Sequence, residues 1–201
     1  MRKLLCLFLL VLISCSSISV EPDDLRTDPV ADHRRRAAVM IGEDQDGQYL
    51  PTLLEALHSD DVDIVRAQAA ISIGELGVKR PQVYAQLTDS LKNDPSPLVQ
   101  QDVITALNKL EYNKAVPVLI EKLRTSPHPD VRAASVSVLE KIGTTEAITA
   151  LKEARDDESV KVRFAAKNAL KNLRDTPAFA QLTPEQQSET AEERTTWWMV
   201  R

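Results

Sequence analysis

The chain has 201 residues, 43% of them hydrophobic and 27% charged, enough for one globular domain with its own core. A formal net charge of −5 argues against a partner held through a nucleic-acid phosphate backbone. Aromatics at 4% beside abundant Ala, Leu and Val favour closely packed helices over a β-sandwich.

The chain opens with Arg2 and Lys3, then an uninterrupted apolar run from Leu4 to Ile13. At about 1.5 Å per residue the run spans roughly half a bilayer core, so it reads as the h-region of a signal peptide, not a transmembrane helix. It ends in Leu12-Ile13-Ser14-Cys15. This resembles the lipobox of bacterial lipoproteins, with an aliphatic residue at −3, a small residue at −1 and then the cysteine. The resemblance implies removal of residues 1–14, acylation of Cys15 and attachment to the bacterial cell envelope through a lipid anchor. Ser16 stands where an aspartate would signal inner-membrane retention, which favours the outer membrane in an organism that has one. The alternative is an ordinary secretory signal cut within Ser16 to Ser19. Cys6 and Cys15 are the only cysteines, so the rest of the chain forms no internal disulfide and no thiolate metal site. Residues 15–27 carry Ser, Glu, Pro and Asp with little apolar content and read as the lipidated cysteine and a disordered tether.

An internal repeat organises the rest of the chain. The stretch Arg34 to Glu43 aligns with Arg66 to Glu75, and further copies start at Gln100, Arg132 and Arg163, 31 to 34 residues apart. With each start numbered 0, apolar residues recur at −1, +3, +7 and +10 and trace one helix face. Between these helices lies a second pattern: Leu50 to Leu57 matches Val116 to Leu123, with weaker copies at 83–91 and 148–155. Pro51 and Pro117 suit a helix's first turn, where the missing N–H costs nothing. Each unit is thus two helices joined by a polar turn. Pairs are expected near 48–77, 82–111, 114–143 and 145–174, and residues 28–44 form one unpaired helix capping the N-terminal end.

Six residues before each start stands Asp28, Asp60, Asp94, Ser126 or Asp157. An Asp closing the turn, then Val-Arg, Ala-Ala and Leu-Gly, resembles the HEAT repeat. Val65-Arg66, Val131-Arg132 and Val162-Arg163 keep the pair intact, while Val99-Gln100 and Ser126 depart from it. The resemblance covers residues 28–174 and implies an all-α superhelix, a HEAT/armadillo-type solenoid of about four helix pairs plus the N-terminal cap. It also implies that Asp28, Arg34, Asp60, Arg66, Asp94, Arg132, Asp157 and Arg163 are structural, joining neighbouring repeats through charge-assisted hydrogen bonds. The tail, residues 175–201, breaks the pattern. Thr183-Pro184-Glu185 is a helix start, and Trp197-Trp198 either cover the end of the stack or form a free docking motif.

No catalytic constellation emerges. His33, His58 and His128 sit in different repeats, without a second His at metal spacing. Iron-binding HEAT-fold hydroxylases use His-Glu pairs, whereas Arg34, Ser59 and Pro129 follow the histidines here. Asp44-Gln45-Asp46-Gly47-Gln48 lacks the further acidic ligands of a calcium loop and reads as a surface turn. HEAT-like bilin lyases and DNA glycosylases act inside cells, which suits an exported chain poorly. No metal and no cofactor is therefore expected. HEAT stacks bind partners along the groove lined by their second helices. Here positions +1, +5 and +8 should line it, and Val39, Ile71, Gln101, Thr105 and Asn108 are expected to form part of a protein-binding strip. The alternative for Val39 and Ile71 is packing against a slightly rotated neighbour. The sequence thus points to a non-enzymatic, envelope-anchored scaffold holding a protein partner. The competing class is a HEAT-fold enzyme, lyase- or hydroxylase-like, with a cofactor site invisible in sequence.

Overall fold

A computed structural model describes residues 20–183. The expectations for residues 1–14, for Cys15 and for Trp197 and Trp198 lie outside the described residues. Within them the chain is all-α, in two layers of antiparallel helices. The first layer holds α1 (Asp24–Thr27), α3 (Leu50–Ser59), α5 (Pro81–Asn93), α7 (Val116–Thr125), α9 (Thr145–Glu153) and α11 (Pro177–Ala180). The second holds α2 (Ala31–Glu43), α4 (Asp63–Leu76), α6 (Pro97–Lys109), α8 (Pro129–Ile142) and α10 (Val160–Leu173). Each second-layer helix packs on its own first-layer partner, and α2, α4, α6, α8 and α10 pack one on the next in that order, the arrangement of a solenoid.

Local sequence fixes these elements. Pro51, Pro81, Pro97, Pro117 and Pro129 stand in the first turns of α3, α5, α6, α7 and α8, where a helix needs no N–H from them. Gly77 and Gly143 end α4 and α8 at φ +64 and +63, a left-handed turn that a β-carbon would strain. The core runs the length of the stack between the layers. Leu53, Leu57, Ile73, Leu87, Leu107, Leu119, Leu139 and Ile148 are fully buried in it, each contributing roughly 1.5–3 kcal/mol by leaving water.

The ends differ from expectation in one respect each. The helix at residues 28–44 is not unpaired: α1 precedes it and buries Leu25 against α2 and α3. Order therefore reaches into the stretch read as tether, because one leucine suffices to pin a single turn to the end of the core. At the other end α11 lies on α9 in first-layer position, with Phe179 and Leu182 buried. Position +4 is fully buried in four units, as Ala38, Ala70, Ile104 and Val136, but in α10 it is the exposed Lys167.

Candidate partner-binding face

The eight residues assigned to the repeat's framework form one periodic ladder. In every unit the turn carboxylate or hydroxyl accepts the N–H two residues on: Asp28 from Val30 at 2.7 Å, Asp60 from Val62 at 3.0 Å, Asp94 from Ser96 at 2.9 Å and Asp157 from Ser159 at 2.8 Å. Ser126 does the same more loosely, at 3.3 Å from His128 N. The side chain at position 0 then reaches back to that turn's carbonyl. Arg34, Arg66, Gln100, Arg132 and Arg163 donate to Asp28 O, Asp60 O, Asp94 O, Ser126 O and Asp157 O at 2.7 to 3.0 Å.

The remaining nitrogens of Arg34, Arg66 and Arg132 point forward into the next unit. Arg34 grips Asp60 through Nε and Nη2 at 2.8 and 2.9 Å. Arg66 grips Asp94 at 2.7 and 3.0 Å, and Arg132 grips Asp157 at 2.8 Å through both nitrogens. Planar guanidinium and planar carboxylate match in two parallel bonds, which fixes orientation as well as distance. Burial pushes the Asp60 carboxyl pKa up, but the Arg34 fork and the Val62 N–H outweigh it and hold the carboxyl below its usual range. Asp157 behaves alike, with Arg132 and the Ser159 N–H as the opposing groups. Asp28, in the first described unit, is not gripped by an arginine fork, and His33 Nδ1 lies 3.0 Å from its Oδ2.

Side chains at 0, +4 and +8 thus face the following unit, and +2, +6 and +9 the preceding one. Ser72 at +6 donates to Ala38 O at 2.7 Å across the α2–α4 contact. Gly42 and Gly74, at +8, belong to these contacts and not to an open groove. A β-carbon at Gly74 would lie 2.9 Å from the Ala106 Cα, and one at Gly42 would lie 2.9 Å from Ser72 Oγ. Sequence reasoning placed both glycines on the binding surface; their position inside otherwise apolar helices was the signal that backbones meet there.

The face turned away from the first layer is left to positions −2, +1 and +5. Val39 and Ile71 occupy +5 of α2 and α4 and are half-buried, and Thr105 occupies +5 of α6 and is exposed. Ile64 and Leu98, at −2 of α4 and α6, extend the apolar surface and are 46% and 40% exposed; the sequence reading missed both. Gln101 and Thr105 fold onto their own helix, donating to Pro97 O at 3.1 Å and Gln101 O at 3.0 Å. Asn108 is drawn away from the row: it lines a cleft between α6 and α8 with Leu107, Tyr112, Val138 and Lys141. Asp102, also on α6, is half-buried, and burial raises its carboxyl pKa.

The three histidines do not converge. His33 lies on α2 against Asp28, His58 on the last turn of α3, and His128 just before the first turn of α8. Among the described residues no group of three or more His, Cys, Asp or Glu is placed to hold a metal ion. Asp46 of the calcium-like stretch caps the short turn Gly47–Tyr49 through Gln48 N at 3.1 Å.

The family model for HEAT repeats matches residues 23–108, 84–171 and 116–196. The chain is a HEAT-repeat protein. Among relatives of known activity, it is 36% identical over 91 residues to the deoxyhypusine hydroxylase of Aspergillus clavatus, a match covering 43% of this chain and 26% of that enzyme. Among solved structures, this HEAT-repeat protein superposes on a chain of the CpcE–CpcF complex of phycocyanin lyase from Nostoc sp. PCC7120 with a TM-score of 0.64 at 21% identity, covering 83% of this chain and 70% of that one. It superposes on the YibA protein of E. coli with a TM-score of 0.61 at 20% identity, covering 79% and 60%. At such identities the two likenesses show the fold alone.

Proposed function

We propose that this HEAT-repeat protein is a non-enzymatic scaffold, anchored to the bacterial cell envelope through an acylated Cys15, that holds a protein partner against its second-layer face. The observation that carries the reading is the apolar surface of Val39, Ile64, Ile71 and Leu98, which a repeat helix does not need on that side. Contiguous apolar surface rimmed by polar groups is what protein interfaces are built from. Gln101 and Thr105 supply the polar rim on α6.

The test is in-cell crosslinking of the full-length chain, followed by detergent extraction and mass spectrometry. The wild type is compared with Cys15→Ala and with the double variant Ile71→Glu, Thr105→Arg. A discrete partner lost in the double variant, at an unchanged melting temperature, supports the binding face. An unchanged partner set in the double variant overturns it. Cys15→Ala should leave the membrane fraction, and if it stays the anchor is wrong.

The stretch similar to deoxyhypusine hydroxylase favours a second reading, a HEAT-fold enzyme or enzyme subunit. Metal analysis of the purified protein separates the two: stoichiometric iron or zinc supports the enzyme.

A further inference from the structure

The stack has four junctions between successive units, and they are not equally fastened. The first is held by the Arg34–Asp60 fork and by Ser72 on Ala38 O. The second carries the Arg66–Asp94 fork, Ser96 on Asp63 at 2.9 Å, Lys109 on Glu75 at 3.0 Å and Lys79 on Glu111 at 2.9 Å. The fourth carries the Arg132–Asp157 fork, Arg124 on Glu153, Lys161 on Asp130 and Asn172 on Glu140.

The third junction, where α5 and α6 meet α7 and α8, has none of this. The fork's donor is Gln100, which cannot reach past its own turn, and its acceptor is Ser126, which offers no carboxylate. These two departures from the repeat are the two halves of one missing contact. Among the described residues a single hydrogen bond crosses here, from Lys122 Nζ to Lys92 O at 3.2 Å. Packing is looser as well. In the second layer α6 and α8 meet less extensively than α2 with α4, α4 with α6 or α8 with α10, and a cleft of about 320 Å³ opens beside Asn108 toward Val138 and Lys141. In the first layer α3 touches α5 and α7 touches α9, but α5 and α7 scarcely meet.

We propose that the α6–α8 junction is a hinge dividing the solenoid into two blocks, residues 20–112 and 113–183, each fastened internally and free to change their mutual angle. Solenoid units contact only their neighbours, so bending concentrates where one interface is weakest. The proposed partner-binding row lies in the first block with its polar rim at the hinge, so a partner reaching both blocks would set their angle. That consequence rests on the binding reading; the hinge itself does not.

The test uses spin-label pairs in the full-length chain with Cys6→Ser and Cys15→Ser, read as distance distributions. Asn93→Cys with Thr125→Cys spans the third junction; Ser59→Cys with Asn93→Cys spans the second. The first pair should show a distribution about twofold wider than the second. Restoring the ladder with Gln100→Arg and Ser126→Asp should narrow the first pair to the width of the second. Moving the break, with Arg66→Gln and Asp94→Ser, should widen the second pair. Circular dichroism establishes that each variant is folded. Equal widths for the two pairs in the otherwise unmodified chain, or no narrowing in a folded restored variant, overturn the proposal.

Discussion

Gly74→Ala opposes two effects whose sizes are known, and the structure decides between them. Position 74 is inside α4 with ordinary helical dihedrals, so alanine is favoured over glycine by about 1 kcal/mol of helix propensity. The new methyl, however, would lie 2.9 Å from the Ala106 Cα, 3.2 Å from the Ala106 Cβ and 3.5 Å from the Lys109 Cδ. The closest of these is backbone, which cannot swing aside, so α6 as a whole must retreat from α4. Forced overpacking of this kind costs about 1–3 kcal/mol, and the net expectation is a loss of about 1 kcal/mol. Gly42→Ala should cost less, because its closest contact, at 2.6 Å, is the movable Glu75 carboxylate. Gly47→Ala meets nothing within 4 Å and should be neutral or stabilising by up to about 1 kcal/mol. Urea unfolding followed by circular dichroism ranks the three. A Gly74→Ala protein as stable as the wild type would refute the idea that this backbone contact sets the α4–α6 spacing.

Two further outcomes concern pH. The folded-state carboxyls of Asp60 and Asp157 titrate below their usual range, so their contribution is complete above the unfolded value near about 4 and is lost as pH falls below it. Thermal melts across this acid range should show a steeper loss of stability in the wild type than in Asp60→Asn, whose folded state has no such carboxylate to protonate. Asp102 has the opposite sign: burial raises its folded carboxyl pKa, so its charge destabilises the fold at neutral pH and the penalty fades on acidification. Asp102→Asn should therefore raise the melting temperature at pH 7 and change it little below pH 4.

Much of this was legible in the sequence because a solenoid writes its periodicity into the chain. The apolar residues at −1, +3, +7 and +10 locate every second-layer helix, and the Asp and Arg positions mark every turn. The direction of the arginine fork was not legible. Residue spacing alone gives the six-residue link from Arg66 back to Asp60 O but not the forward link to Asp94, which depends on the rise between units. For that reason Gln100 and Ser126 read as two separate irregularities, although they face each other's places across one junction. α1 was missed because four residues carry no period, and only Leu25 among acidic neighbours hinted at it. Within the binding row, Ile64 and Leu98 escaped notice because −2 lies at the edge of the turn. Asn108 was placed there because +8 borders the open face on an ideal helix, whereas in this stack it belongs to the contact with α8.

The exposed Lys167 has a consequence for assembly. An interface between repeats is complementary to a copy of itself displaced along the axis, so a solenoid ending in an ordinary repeat is half of an open-ended, head-to-tail polymer contact. Every internal +4 position is an apolar side chain removed from water; α10 sets an ammonium there, which a second molecule stacked in register would have to strip of its hydration. Among the described residues, Lys167 is thus the feature of α10 that opposes a second copy stacked in register on its +4 face.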